Sequence, residues 1–248
     1  MQPLISICIP TFREEKYIVK TLEHLSKQTI FQACELVIAD YDPDKTRGTY
    51  NTIFDALKNN PTFYGKIKFL DVFKSGIGIA RHIASSAANG QYIVTFDADV
   101  RFENPRSLEF LITPLVNKEP KVIATHCLNV MEKVGDESVD RLGWMYDWRN
   151  EFLKFLLGGE LSNILVIPPV YEPGLTFSKE IYSGMPGFRD VIMLEGPLMA
   201  ADLKFKYGFD TILKLIPIDV IVSSRRIVGS QKDNAALGID LNYKHAYR

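Results

Sequence analysis

The chain has 248 residues, of which 46% are hydrophobic and 24% are charged, so it can bury the core of one large α/β domain. Its formal net charge of -1 provides no global field for nucleic acid, and we expect no nucleic-acid partner. The three cysteines are far apart in apolar runs, which excludes a zinc-binding spacing and is typical of core residues in a reducing compartment; they are Cys8, Cys34 and Cys127.

The first hundred residues alternate short apolar strands with helices. Strands are predicted at 4–10, 35–39, 66–72 and 92–96, and helices at 15–28, 49–59 and 79–88. This order predicts a mostly parallel sheet covered by helices on both faces. The later half is less regular, with a helix predicted at 105–117, a strand at 121–125, a helix at 144–157, an extended run at 164–171 and a helix at 198–207. Pro217 interrupts the strand-like run Ile212–Val222, which indicates an edge strand.

The sequence shows no targeting segment. Met1 to Pro10 lacks both a basic leader and a small-residue cleavage site. No apolar run reaches the roughly 20 residues that a membrane-spanning helix needs. We therefore expect a cytoplasmic protein, which would meet a membrane-bound substrate through peripheral contact at the cytoplasmic face.

Two carboxylates, Asp97 and Asp99, follow the fourth predicted strand. Ligands of open α/β sheets bind outside the carboxyl ends of the strands. Residues i and i+2 of a strand lie on the same side, so the two carboxylates can converge on one ligand. Their hard oxygens suit Mg²⁺ or Mn²⁺. The sequence therefore predicts a metal site here; the alternative is that both residues simply form a turn.

Several motifs occur in the order typical of the family 2 glycosyltransferases, and the chain resembles that family. The matching segments are Ile7–Glu15, Val37–Asp40 with Asp44–Thr46, Gly76–Arg81, Phe96–Asp99, and Gly174–Tyr182 with Gly187, Phe188 and Glu195. The resemblance covers most of residues 4–210 and implies an α/β GT-A (Rossmann-like) fold in a single domain. Residues 1–101 would hold the donor, 102–222 the acceptor, and 223–248 would form a basic tail or lid.

The resemblance implies inverting transfer of a sugar from a UDP- or GDP-sugar to an acceptor hydroxyl, with Mn²⁺ or Mg²⁺ on the diphosphate. The acceptor would be a glycan, a lipid or a protein-linked group. A cation there would stabilise the charge that develops on the leaving diphosphate. Inversion needs one carboxylate base and no covalent nucleophile, and the sequence shows no clear nucleophile.

The same resemblance implies roles for individual residues. Asp99 would bind the metal, and Asp97 the metal or the donor ribose. Asp40 would accept hydrogen bonds from the base or ribose. The remaining donor-side residues would be Pro10, Thr11 and Glu14 in the nucleotide pocket, Gly76 and Arg81 near the phosphates, and Arg225 and Arg226 as a diphosphate clamp. For Arg81 the alternative is a structural ion pair, and for the two tail arginines it is a solvated tail.

The acceptor side departs from the family pattern. Family members usually carry Glu-Asp here, and the Asp is the general base, whereas this chain has Glu195-Gly196-Pro197. A base needs a carboxylate within hydrogen-bond reach of the acceptor hydroxyl. Glu195 is the first candidate and Asp190 the second. The alternatives are that Glu195 only caps the following helix, or that the enzyme is weakened.

Two other functions compete with this interpretation. A nucleotidyltransferase would carry a glycine- and lysine-rich loop after strand one, but the segment Thr11–Glu15 is acidic and free of glycine. A non-catalytic nucleotide-sugar-binding module is the second alternative, and Gly196 favours it. The four histidines show no metal-ligand spacing, so we expect them to be hydrogen-bonded core or surface residues.

Overall fold

The computed structural model describes residues 2–131, 170, 173–191 and 195–222. In chain order the elements are β1 Ile5–Thr11, α1 Ile18–Ser26, β2 Cys34–Tyr41, α2 Gly48–Leu57, β3 Ile67–Val72, α3 Ile77–Ser86, β4 Tyr92–Thr95, β5 Val100–Phe102, α4 Ser107–Val116, β6 Val122–Met131, β7 Thr176–Ser178, α5 Lys179–Ser183, α6 Glu195–Tyr207 and β8 Ile212–Val222. The predicted helix 144–157, nearly all of the predicted run 164–171, and the tail with Arg225 and Arg226 lie outside the described residues.

One sheet holds the described strands together in the order β3-β2-β1-β4-β7-β6-β8-β5. The strands β3, β2, β1 and β4 are mutually parallel. Strand β7 is antiparallel to both β4 and β6, β8 is parallel to β6, and β5 is antiparallel to β8. The predicted α/β fold with a mostly parallel sheet is therefore confirmed, with an antiparallel strand inserted near its middle.

Two apolar cores cover the two faces of the sheet. Every residue of β1 is buried, because its side chains alternate between helices on opposite faces. Helices α1, α2 and α4 pack on one face, where Ile18, Leu22 and Leu25 of α1 recur at helical spacing. Helices α3, α5 and α6 pack on the other face. The three cysteines are buried and free, as expected of core residues.

The prediction that Ile212–Val222 forms an edge strand is wrong. Strand β8 lies between β6 and β5 and is hydrogen-bonded to both. Pro217 is tolerated because the pairing of β6 with β8 shifts register between His126 and Leu128, so the missing N–H falls at an irregularity. Among the described strands, the edge at this end is β5, a three-residue strand that the sequence pattern did not predict.

In the part of the chain that the structure describes, no helix combines the length and apolar content needed to cross a membrane.

Candidate active site

A buried carboxylate lies where β1 and β2 end. Thr11 and Asp40 are opposite each other in the parallel pairing of these strands. The Thr11 hydroxyl donates a hydrogen bond of 2.7 Å to Oδ1 of Asp40, which is only 4% exposed. Burial raises the pKa of Asp40 to about 6, and the nearby charges of Asp42 and Glu15 add to this, while hydrogen bonds from Thr11 and Thr49 oppose it. Asp40 is thus poised to accept a hydrogen bond from a ligand.

The loop after β1 contacts α2 at Thr49, which is hydrogen-bonded to this carboxylate. Pro10 is level with Ala39 in the strand pairing, directly before the Thr11–Asp40 contact. Glu14 is buried, and its backbone N–H donates to the hydroxyl of Thr49 on α2 at 3.3 Å. The predicted residues Pro10, Thr11, Glu14 and Asp40 therefore meet at one place.

Arg81 and Asp97 form a second cluster, at the end of β4. Arg81 lies in the second turn of α3, its side chain is 2% exposed, and its Nη2 is ion-paired with Oδ1 of Asp97, whose side chain is 18% exposed. The ion pair considered for Arg81 is thus present, and its contact with a phosphate stays a prediction. The guanidinium holds Asp97 facing α3.

Asp97 and Asp99 contact different elements. Strand β4 ends at Thr95, and Ala98 and Asp99 form a turn that leads into β5, so the argument from strand alternation does not apply to them. The hydroxyl of Thr21 on α1 donates to the carbonyl of Ala98 at 2.8 Å and anchors this turn. Asp97 is ion-paired with Arg81 of α3, whereas Asp99 lines a small pocket beside α1.

The segment that precedes α6 packs against the first turn of α3. Lys74 Nζ lies 2.7 Å from Oδ2 of Asp190, in an exposed ion pair. A Cβ placed on Gly76, whose φ is 141°, would lie 2.8 Å from Oδ1 of Asp190, and a Cβ on Gly78 would overlap the carbonyl oxygen of Arg189. Both glycines are needed for this close approach. Asp190 therefore lies beside the loop that leads from β3 into α3.

Glu195 is the first residue of α6, and its side chain lies outside the described residues. Its neighbour Gly196 is buried. Across the described ranges, no group of three His, Cys, Asp or Glu residues is placed to hold a metal ion. One or two carboxylates, with phosphate oxygens completing the coordination, are a set of ligands that Mg²⁺ and Mn²⁺ accept, and Asp97 and Asp99 follow β4 here.

Two contacts at this site were not predicted. Lys74 follows β3 just as Asp40 ends β2, so its position at the same edge of the sheet was a usable signal. Thr21 is a buried polar residue on the apolar stripe of α1, and such a residue usually has a specific hydrogen-bond partner.

Comparison with known proteins agrees with the family resemblance seen in the sequence motifs. The profile of the family described as "Glycosyl transferase family 2" matches residues 6–166. The chain is 29% identical over 138 residues to the glycosyltransferase GlyG of Streptococcus pneumoniae serotype 4, strain TIGR4, a match that covers 55% of this chain and 43% of GlyG. The chain thus spans less than half of the length of that relative.

Solved structures show the same architecture. The mannosyltransferase PcManGT from Pyrobaculum calidifontis, in complex with GDP-Man and Mn²⁺, superposes with a TM-score of 0.66 at 17% identity, over 89% of this chain and 57% of that one. Residues 1–349 of S. aureus TarS, in complex with UDP-GlcNAc, superpose with a TM-score of 0.59 at 17% identity, over 90% of this chain and 58% of that one. At these identities the likeness shows the fold, and it confirms the predicted GT-A architecture.

Proposed function

Because the chain belongs to glycosyl transferase family 2, we propose that it moves a sugar from a nucleotide-diphosphate donor to an acceptor hydroxyl, with inversion at the anomeric carbon. The observation that carries the proposal is the pair of clusters at the strand ends, Thr11–Asp40 and Arg81–Asp97. The nucleotide sugars bound by PcManGT and TarS support a donor of this class. The strand ends of residues 1–101 hold the donor, and the acceptor binds on the side of residues 102–222.

The nucleoside end of the donor binds at Asp40. A buried carboxylate is a strong acceptor for the N–H of a uracil or guanine ring or for a ribose hydroxyl. The Thr11 hydroxyl fixes one carboxylate oxygen, so the group is held in place to accept from the ligand. Burial keeps water from competing for that hydrogen bond.

The diphosphate end binds at the turn after β4. Asp99 is the direct ligand for Mn²⁺ or Mg²⁺, and Asp97, held by Arg81, contacts the ribose or the same ion. When bound, the cation neutralises the negative charge that develops on the departing diphosphate. Thr21 keeps the turn in place through the Ala98 carbonyl.

The reaction needs one base. The acceptor oxygen forms a bond to the anomeric carbon, the bond from that carbon to the diphosphate oxygen breaks, and the hydroxyl proton passes to a carboxylate. Glu195 and Asp190 are the candidates, and a nucleoside diphosphate leaves. The acceptor is a glycan, lipid-linked or protein hydroxyl, reached from the cytoplasmic side.

The test is transfer with Mn²⁺ present, measured as release of nucleoside diphosphate, in wild type, Asp99→Ala and Asp71→Asn. Asp71 is an exposed carboxylate level with Asp40 on the neighbouring strand, so Asp71→Asn serves as the control. We expect Asp99→Ala to lose at least about a hundredfold in rate, as for removal of one transition-state contact, and the control to keep its rate. Equal rates in all three proteins would overturn the role of Asp99.

Glu195→Gln and Asp190→Asn identify the base. The variant that lacks the base loses kcat and keeps donor affinity, because donor binding needs no proton acceptor. Asp190 is already ion-paired with Lys74, so we expect the larger loss of kcat in Glu195→Gln.

A non-catalytic donor-binding module is the second candidate. It is favoured by Gly196, which replaces the family's usual base, and by the engagement of Asp190 with Lys74. Calorimetry with UDP- and GDP-sugars separates the two functions. Tight donor binding without release of nucleoside diphosphate, for any acceptor pool, would establish the module.

A further inference from the structure

We propose that the ion pair between Arg189 and Asp202 positions the general base of the proposed glycosyl transfer, by fixing the start of α6 relative to the donor side of the site. Both candidate bases, Asp190 and Glu195, lie on the stretch of chain that this pair closes. The inference rests on the proposed function, because a base is needed only if the chain transfers a sugar. Arg189 and Asp202 are positioning residues, which act through the base and touch neither donor nor acceptor.

The pair has a two-point geometry that fixes orientation as well as distance. Nε of Arg189 donates a hydrogen bond of 2.9 Å to Oδ2 of Asp202, and Nη2 donates to Oδ1 of the same carboxylate. A planar guanidinium with two parallel hydrogen bonds resists rotation of either partner, which a single contact with an ammonium group does not. The side chain of Asp202 is only 11% exposed, so its carboxylate is held at a defined place on α6.

Asp202 lies on the same face of α6 as position 195. The two positions are seven residues apart, which is close to two full turns of an α-helix. A two-point contact at Asp202 therefore fixes the rotation of α6 about its own axis. It also fixes the side of the helix on which position 195 lies.

Arg189 is in turn seated on α3. Its carbonyl oxygen lies so close to Gly78, in the first turn of α3, that a Cβ at this glycine would overlap it. Three residues further along α3, Arg81 is ion-paired with Asp97, which we propose contacts the donor. Helix α3 therefore contacts the donor side through Arg81 and the α6 side through Arg189, and it sets the start of α6 relative to the donor carboxylates.

The pair is better suited to positioning than to holding the fold together. The side chain of Arg189 is 52% exposed, and an exposed ion pair stabilises a fold only slightly. Helix α6 is already held in the core by Met199, Ala200 and Leu203. A base must lie within hydrogen-bond reach of the acceptor hydroxyl, and a displacement of about 1 Å can cost about a hundredfold in rate. Loss of the pair should therefore lower kcat far more than it lowers stability.

The test compares Arg189→Met, Asp202→Asn and the variant that carries both changes. Release of nucleoside diphosphate gives kcat, calorimetric titration of UDP or GDP gives donor affinity, and urea unfolding gives stability. We expect each single change to lower kcat by about tenfold or more, as for a misplaced catalytic group, with donor affinity and urea midpoint close to those of wild type. Because the two residues act as one unit, the double variant should lose no more than either single variant.

Lys121→Met is the matched control. Nζ of Lys121 lies 3.0 Å from Oδ2 of Asp210, in an exposed ion pair just beyond the end of α6, and neither residue is assigned to the site. This variant should keep the kcat of wild type. Arg189→Lys keeps the charge but not the two-point contact, so we expect it to recover only part of the lost kcat.

Three results would overturn the positioning role. They are wild-type kcat in both single variants, losses that multiply in the double variant, and falls in donor affinity or urea midpoint that match the fall in kcat. If wild type itself releases no nucleoside diphosphate, the proposed function fails and this inference fails with it. An active wild type with equally active variants rejects the role of the pair alone.

Discussion

At the scale of single residues, Asp40, which we propose binds the donor, lowers the stability of the fold that carries it. Its carboxyl group is buried, and its pKa is raised to about 6, mainly because burial disfavours the charged form. Between pH 4 and pH 6 the folded chain therefore binds more protons at Asp40 than the unfolded chain does. The free energy of unfolding therefore falls as pH rises through this window. Above it, the destabilisation that comes from burying the ionised carboxylate is fully present.

Asp40→Asn removes the buried charge and should raise the free energy of unfolding at pH 7.5 by about 2 kcal/mol. The asparagine oxygen can still accept from Thr11, so the local geometry persists. Urea unfolding at pH 7.5 and at pH 4 measures the effect, and the curves of variant and wild type should converge at pH 4. The exposed control Asp71→Asn should match wild type at both values. A constant difference at the two pH values would contradict the ionisation argument.

The same ionisation should control ligand binding. The hydrogen-bond acceptor at Asp40 is strongest when the carboxyl group is ionised, so donor affinity should decline as pH falls below about 6. Calorimetric titration of UDP or GDP between pH 5 and pH 8 checks this. In Asp40→Asn, affinity should be lower at pH 8 and should no longer change near pH 6.

Arg81→Met should destabilise the fold strongly. It leaves Asp97 mostly buried without its guanidinium partner, and loss of one member of a buried pair costs about 3 kcal/mol or more. Arg106→Met is the matched control, because Arg106 forms an exposed ion pair with Glu109 whose loss should cost less than about 1 kcal/mol. Urea unfolding compares the two variants, and similar losses would contradict the structural role assigned to Arg81.

At the scale of elements, helix α1 has two roles. One stripe packs Ile18, Leu22 and Leu25 into the core, and Thr21 within that stripe holds the turn that follows β4. The helix therefore joins the first strand–loop unit of the chain to residues nearly eighty positions later. Movement of α1 would move Asp99.

Thr21→Val tests that connection, since valine keeps the shape and removes the hydroxyl. We expect a loss of about 1–2 kcal/mol in the free energy of unfolding, because the buried Ala98 carbonyl loses its donor. We also expect a lower rate of nucleoside diphosphate release. In the control Thr113→Val, the lost hydroxyl donates only within α4, to the carbonyl of Glu109, so turnover should not change. Unchanged turnover in Thr21→Val would show that the turn is held without this bond.

Regular elements could be predicted from the sequence because they are long and strongly apolar. For the strands and helices of the N-terminal half, the predicted bounds agree with those in the structure to within a few residues. Strand β5 was missed because three residues cannot show a periodic pattern. Strand β8 was wrongly predicted to be an edge strand because it contains Pro217. The register shift that accommodates this proline inside the sheet has no other signal in the sequence.

At the scale of the whole molecule, β7 joins two parallel parts of the sheet. It pairs with β4 through residues 176–178 and with β6 through only residues 176 and 177. We expect hydrogen exchange to show the slowest amides in β1 and β2, with β6 and β8 opening at lower free energy across this short seam. Equal protection of β2 and β8 in native-state exchange would contradict this view.

Only the part of the candidate site that lies at strand ends could be predicted from the sequence. Thr11, Asp40 and Asp97 lie at the carboxyl ends of predicted parallel strands, which share one edge of the sheet, so their proximity was foreseeable. The contact between Lys74 and Asp190 joins positions 116 residues apart, through a segment without regular structure. No local pattern encodes such a contact.

That Lys74–Asp190 pair makes ionic strength an experimental control for this protein. The pair is exposed, with side chains 72% and 49% accessible, so dissolved ions weaken it at concentrations that leave the buried Arg81–Asp97 pair intact. Added sodium chloride should release Asp190 from Lys74 while the donor-side carboxylates keep their partners. Kinetics recorded across a salt series should therefore separate the contribution of Asp190, proposed for the acceptor side, from that of the carboxylates proposed for the donor side, without any mutation.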